Sequence, residues 1–427
     1  MEEQRPARPA RDLKTTGWVN STYFAEGFPY VIVIYMFTVF YTDLGVKERY
    51  LGYLNFFALA WNIKFLWAPF VDMYSTKRRW LLVIEAVLSV GLAAVAVLAI
   101  RAIGVEGSAP PHVLEIIAFV GAALAFASAT HDIAIDGYYL TALTDKDEQA
   151  RYTGDRVMSY RMAIIYGRSV LVAAAAVIGW VWSWAIAAAT MTLIFLFHSW
   201  FLPQPEHPAG SQPPGQRAAG SQFLLAFRTY LAQPRVILML AFVMMYKLGD
   251  NIMFSMRTAF LMRYLGVSMG QLSWLAGILG TGGSIAGSLL SAWLISKLGL
   301  KRAIWPLTLM MNLNIWAYIG LAYWKPDPAT VGGLTWIAII HAYEEWAGGM
   351  GNATLLIYLM RTCRPEFKAA HYAVGSAVMS VGLTVVGGFG GVIVEHVGYV
   401  GLFMLAFFAS IPSMIMIPWI PHLDERR

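Results

Sequence analysis

The stretch Lys64 to Ile100, KFLWAPFVDMYSTKRRWLLVIEAVLSVGLAAVAVLAI, decides how the rest of the chain is read. Its second part is a long, mainly apolar run starting directly after Lys77, Arg78 and Arg79. About 20 apolar residues are what an α-helix needs to cross a bilayer. Its first part ends another apolar helix with a carboxylate, Asp72. The loop between them is short and basic, the pattern of a loop held on the cytoplasmic side of a membrane.

Working outward, the same alternation fills the chain. Of 427 residues 58% are hydrophobic and 13% charged, against about 45–50% and 25% in an average soluble domain. That excludes a soluble enzyme. Helices are expected over 16–42, 50–71, 78–101, 112–141, 155–180, 182–201, 235–264, 270–297, 302–324, 332–360, 368–394 and 397–420. The fold class is therefore an all-α membrane protein of twelve transmembrane helices. The first span is no cleavable signal peptide, because the polar segment Met1 to Lys14 is long and no small-residue cleavage site follows the apolar run. The single Cys363 excludes a disulfide framework and a multi-cysteine metal site. The net charge of +6 sits in loops, so it reads as membrane topology and not as nucleic-acid binding. There is no phosphate-binding Walker loop, nucleophile elbow or His-x-x-x-His pair. No cofactor and no metal are expected, and a proton gradient is the expected energy source.

Basic residues set the orientation. Lys14, Lys77, Arg78, Arg79, Arg151, Arg156, Lys301, Arg302, Arg361 and Arg364 are among many on one side, against Lys47, Arg49, Arg101, Arg263 and Lys325 on the other. Both termini are expected in the cytoplasm, with the chain multi-pass in the inner membrane.

The longest polar break, Pro203 to Gln222, has a linker composition and falls near the middle. It divides an N-terminal six-helix bundle, 1–202, from a C-terminal one, 235–427. The linker, 203–234, includes a short surface helix bearing Phe223, Leu224, Phe227, Tyr230 and Leu231. A shift of 224 residues carries Asp72 onto Ser296, and the same shift carries Glu26 onto Asp250. Two such halves, with acids at matching depth, resemble the parallel repeat of the major facilitator fold. Ala68 and Asp72 followed by Lys77 to Arg79 resemble that family's loop signature, which implies gating roles for Asp72 and Arg79.

Charges inside the spans are costly, face the interior, and mark function by default. Candidate proton-coupling acids are Glu26, Asp132, Asp136, Asp250, Glu344 and Glu345. Candidate substrate-binding residues are Tyr23, Lys64, His131, Arg161, Arg168, Tyr246, Lys247, Asn251, Arg257 and His341. Asp132 and Asp136, four apart, share a helix face, and Arg161 on the antiparallel fifth span lies about level with Asp136. That pair is either a structural salt bridge or a gate opened by a proton or an anionic substrate. Lys247 and Asp250 leave the same choice. Gly27, Phe28 and Pro29 directly after Glu26 predict a kink.

The segments Lys64–Pro69 with Asp72, His131–Asp136, Tyr246–Asp250, and Gly348–Gly351 with Arg361 to Cys363 occur in the order found in the AmpG-like permeases. The chain resembles that family, which also takes in acetyl-coenzyme A transporters and some siderophore permeases. The resemblance implies proton-driven import of anhydromuropeptides by alternating access, with Lys64, Asp72, Asp132, Asp136, Lys247 and Asp250 on family motif positions. Glu26 stands where the family has a small polar residue, and His131 replaces an amide-bearing one. The ligand's carboxylates would meet Lys64, Arg161, Lys247 or Arg257, and its sugars would stack on rings such as Tyr23, Trp61, Tyr246 and Tyr343. Siderophore, acyl-coenzyme A or peptide cargo is the alternative. A small anionic solute and the lipid bilayer are the expected partners of a monomeric, non-enzymatic transporter.

Overall fold

A computed structural model describes residues 12–103, 109–204, 225 and 227–424. The first helix, α1, is Leu13–Asp43. It starts where Asp12 caps it, the carboxylate accepting from the Thr15 amide at 2.8 Å and the Thr15 hydroxyl at 2.7 Å. Those bonds satisfy an orphan donor of the first turn and hold the Asp12 carboxyl below the usual carboxylate range. Pro29 sits inside α1, and a π-helical turn follows at Ile32–Met36. The helical run passes through the expected kink position at Gly27–Pro29 without ending there and continues to Asp43.

The second stretch, α2, covers 48–73 and is broken by 3-10 turns at Leu54–Ala58 and Lys64–Leu66. Then come α3 (Lys77–Ile103), α4 (Pro111–Ala142), α5 (Thr153–Ile178), α6 (Trp180–Phe201), α7 (Val236–Tyr264) and α8 (Met269–Leu298). A short helix, Lys146–Arg151, lies in the loop before α5. After α8 follow α9 (Leu300–Trp324) and α10 (Val331–Thr362). The run from Lys368–Val381 through the π turn Gly382–Val386 is α11. Gly390–Met416 holds a break at Gly398, whose φ of 70° lies in the left-handed region open to glycine. The part before it, 390–397, continues α11, and 399–416 is α12.

Eight stretches are long and apolar enough to cross a bilayer: α1, α3 to α8, and Gly390–Met416. The other spans expected from sequence are present as helices that interrupt their apolar runs. α2 does so with its 3-10 turns, α9 with the buried Asn312 and Asn314, and α10 with the buried His341, Glu344 and Glu345. Polar groups at membrane depth turn inward, so a helix that falls short on hydropathy is the one that carries chemistry. Of the surface-helix residues, 223 and 224 lie outside the described residues. Leu225, Phe227 and Leu231 are exposed, while Tyr230 is fully buried, its ring centroid 5.0 Å from that of His371, so the segment lies on the surface with Tyr230 inserted into the bundle.

Successive helices are antiparallel, which puts Leu13, the 73–77 and 142–153 connections and Met416 on one face, called here the terminus face. On the opposite face the helices before and after the linker are tied together. Arg263, in the last turn of α7, donates from Nε to the Thr42 carbonyl at 2.8 Å, from Nη1 to that of Val46 at 2.5 Å and from Nη2 to that of Tyr41 at 3.1 Å. These are carbonyls at and just beyond the C-terminal end of α1, where a cation is favoured. Arg49 pairs with Glu395 at 2.5 Å. A Cβ on Gly391 would lie 1.8 Å from the Glu48 carbonyl oxygen, so only glycine lets the α11 and α2 backbones approach this closely.

Candidate functional site

Between the helices before and after the linker lies a cavity of about 600 Å³, walled by Tyr23, Glu26, Arg156, Arg161, Arg168 and Glu345. It runs from Thr153 and Arg156, in the first turn of α5, down to Arg168, so it opens on the terminus face. A second cavity of about 380 Å³ is lined by Trp61, Lys247, Asp250 and Asn251. A small third one reaches Arg257. Tyr30, Arg168 and Phe254 line all three. Together they form one vestibule, in the size range of a small-molecule site.

On the α1, α4 and α5 wall, Asp136 pairs with Arg156 at 2.8 Å and accepts from the Tyr23 hydroxyl at 2.9 Å. The Arg156 guanidinium lies over the rings of Tyr23 and Tyr139, 4.3 and 4.4 Å from their centroids. Asp136 therefore does not pair with Arg161, as the sequence spacing suggested. Arg156, in the first turn of α5, is the arginine whose side chain reaches Asp136. Arg161 lies deeper, with no carboxylate partner among the described residues. Asp132 pairs with Lys64. Glu26 lines the cavity, and its Oε2 is buried without a hydrogen-bond partner.

On the opposite wall Lys247 pairs with Asp250 at 3.0 Å and donates to the Asn352 side chain at 2.7 Å. Below it, Arg257 binds Glu344 at 2.5 Å and Glu345 at 2.9 Å, all three buried. Tyr318 is 3.0 Å from His341 Nδ1 and donates to Glu344 at 3.4 Å. Arg168 reaches Glu345 at 3.5 Å and so links α5 to α10. His341, Glu344 and Glu345 place ligand atoms within 4.8 Å of one another. The Arg257 guanidinium already occupies both carboxylates, which disfavours a metal cation there.

The structure thus brings Tyr23, Glu26, Arg161, Arg168, Lys247, Asp250, Asn251, Arg257 and Glu345 to the vestibule. Tyr246 and His341 are fully buried behind the wall, Tyr246 within hydrogen-bond reach of Thr308 at 3.2 Å. Tyr343 donates to the Met310 carbonyl at 3.0 Å. His131 also departs from its expected place. One residue before Asp132, it points about 100° away round α4, and its Nε2 lies 3.4 Å from Glu85. The side chain of Asp72 lies outside the described residues. Arg79 is exposed, its amide donating to Thr76 at 3.2 Å.

Sequence reasoning passed over Glu85. It is fully buried on α3, with His198 Nδ1 at 2.5 Å, while His198 Nε2 meets Ser21 at 2.9 Å. The rule that singled out other acids inside spans applies equally to Glu85. Its histidine partners have no fixed spacing to it and are found only in three dimensions. Glu85→Gln keeps the shape but loses the charge that holds two imidazoles. The expected cost is about 1–3 kcal/mol, read as a lower unfolding midpoint in micelles with vestibule binding retained.

Comparison with known proteins places this geometry. The chain is 25% identical over 400 residues to the anhydromuropeptide permease of Escherichia coli (strain K12), covering 92% of this chain and 77% of that one. It is 20% identical over 407 residues to the putative transporter AmpG 4 of Rickettsia felis, covering 92% and 94%. Among solved structures, a POT family transporter in complex with 5-aminolevulinic acid superposes with a TM-score of 0.71 at 12% identity, covering 96% and 97%. A D-xylose-proton symporter does so with 0.65 at 12% identity, covering 96% and 98%. The latter two likenesses concern the fold alone. The profile of the Major Facilitator Superfamily matches residues 19–340. An all-helical bundle with a central charged vestibule, closed on one face, is thus a secondary transporter and not an enzyme: the chain belongs to the Major Facilitator Superfamily.

Proposed function

We propose that the chain is a proton-coupled importer of anhydromuropeptides or a closely related anionic solute. On this reading residues 1–202 and 235–427 rock as two six-helix units about the vestibule, and both termini lie in the cytoplasm. The observation that carries the proposal is the vestibule wall, where, among the described residues, Arg161 has no carboxylate partner and Arg168 only a long one, beside a Glu26 carboxylate with an unpartnered oxygen. Uncommitted cations at membrane depth seek an anion, and a carboxylate without a direct cation is the cheapest place to add a proton. Likeness to an anhydromuropeptide permease supports the cargo. Tyr23 and Trp61 are the rings placed to stack on sugars. Asp132 and Asp136, already paired, and Asp250, Glu344 and Glu345 belong to the same relay. Asp72 and Arg79 act at the mouth of the terminus face.

Uptake of a labelled disaccharide anhydromuropeptide into proteoliposomes, with and without an inward proton gradient, tests this. Gradient-driven accumulation is the expected result. Uptake that ignores the gradient refutes the coupling, and no uptake of this cargo, in liposomes that bind it, refutes the cargo. Glu26→Gln is expected to abolish accumulation against a concentration gradient while leaving solute exchange between the two sides. Unchanged accumulation in that variant moves the coupling proton away from Glu26.

A further inference from the structure

Arg161 and Arg168 stand seven residues apart on α5, and both line the largest lobe of the vestibule. Arg161 lies in the α-helical part of α5 and Arg168 in the π turn Tyr166–Leu171; both nonetheless line the same lobe, with about 10 Å between them along the axis. Their states of engagement differ from that of Arg156. That third arginine at the mouth is bound to Asp136 and covered by two tyrosine rings. Arg161 meets no carboxylate among the described residues. Arg168 reaches the Ala276 carbonyl and Glu345, each at 3.5 Å, the outer limit of a hydrogen bond, and its Nε is buried with no partner. The Arg168 guanidinium also lies over the Tyr35 ring, 5.0 Å from its centroid, but a guanidinium has five donors in a fixed fork, and with only long hydrogen bonds made it keeps donors for an anion. Glu345 also has a closer partner in Arg257, at 2.9 Å. It can release Arg168 without being stranded.

Resting on the reading of an anionic solute, the geometry points to a ruler: the vestibule takes a solute with two anionic groups about 10 Å apart, one on Arg161 and one on Arg168 in place of Glu345. The exchange at Arg168 cuts the tie between α5 and α10. Binding of the second anionic group therefore removes one tie between the helices before the linker and those after it, while the Ser169–Ser273 bond at 2.8 Å and the contacts of the opposite face remain. A solute with one anionic group engages Arg161 or Arg168 and leaves the remaining half of the ruler empty.

Stiff peptides measure this spacing. An acetylated, amidated Glu-Pro-Pro-Glu peptide in the polyproline II form rises about 3.1 Å per residue with three residues per turn, which puts its two carboxylates on one side about 9 Å apart. Gln-Pro-Pro-Glu, Glu-Pro-Pro-Gln and Glu-Glu-Pro-Pro keep the size and change the charge or its spacing. Affinity is read from the concentration dependence of the unfolding temperature of the full-length protein in nanodiscs. The expected result is about tenfold tighter binding of Glu-Pro-Pro-Glu than of any control, from one more charged hydrogen bond. Arg161→Gln removes that preference and Arg161→Lys keeps most of it, each with the unliganded unfolding temperature of the parent. Equal binding of all four peptides, binding of none, or a preference that survives Arg161→Gln overturns the ruler. The uptake experiment fails or succeeds separately: muropeptide uptake without the preference removes only the ruler, and the preference without muropeptide uptake removes only the cargo.

Discussion

Arg257→Met is expected to lower folding stability by about 3–5 kcal/mol, the cost of removing one partner from a buried ion pair. Glu344 and Glu345 both lean on that guanidinium, at 2.5 and 2.9 Å, at the buried edge of the vestibule. Without it two carboxylates on adjacent residues are left with Arg168 as the cation in contact and the Asp250 carboxylate also near. The protein must then protonate one carboxylate or open the site. Unfolding of the variant in micelles at pH 6 and at pH 8 checks this, with the larger loss at pH 8, where both carboxylates are harder to protonate. A triple variant Arg257→Met, Glu344→Gln, Glu345→Gln is expected to recover most of the loss, since replacing a whole buried cluster costs less than breaking it. Equal stability of Arg257→Met and the parent protein would show that the cluster carries no net energy.

Arg263→Ala has the second large effect, on conformation and not on folding. Arg263 ties α7 to the end of α1 on the closed face through the carbonyls of Tyr41, Thr42 and Val46. Those bonds exist only while that face is shut. Losing even one charged hydrogen bond's worth, about 1.5–3 kcal/mol, shifts the balance toward opening there roughly 10- to 150-fold. Spin labels at Lys47→Cys and Val331→Cys, in a Cys363→Ser background, measure it. A longer distance component is expected in Arg263→Ala and not in the parent. Distances that coincide in the two proteins would mean that Arg49–Glu395 and the glycine contacts hold the face alone.

Much of the architecture was legible in the order of residues, because spacing along a helix is a local property. Boundaries such as 112–141 against Pro111–Ala142, or 182–201 against Trp180–Phe201, follow from apolar runs and their flanking prolines and glycines. Glu26 and Asp250, which the shift relates in sequence, both line the vestibule, in different lobes. Partners across helices were less legible. Asp136 was matched to Arg161 by counting from the loop, but the long side chain of Arg156 reaches it instead, and counting backbone positions does not say how far an arginine extends. His131, grouped with the substrate site because Asp132 follows it, turned toward Glu85, since neighbours on a helix point in different directions. The Glu85–His198 contact joins α3 to α6, and no spacing rule spans that distance. The spans expected at 302–324 and 332–360 are present as α9 and α10, and the residues that lower their apolar score, Asn312, Asn314, His341, Glu344 and Glu345, are buried inside the bundle.

The grip of Arg263 on peptide carbonyls has a further consequence for how this transporter can drift over generations. Every amino acid carries the same carbonyl, so positions 41, 42 and 46 can exchange side chains without loosening the bond that Arg263 makes to them. The glycine at 391 leans on another such oxygen, that of Glu48. Methods that infer contacts from paired changes between lineages will therefore be blind to these carbonyl contacts, and will see this face only through side-chain pairs such as Arg263–Glu48 and Arg49–Glu395.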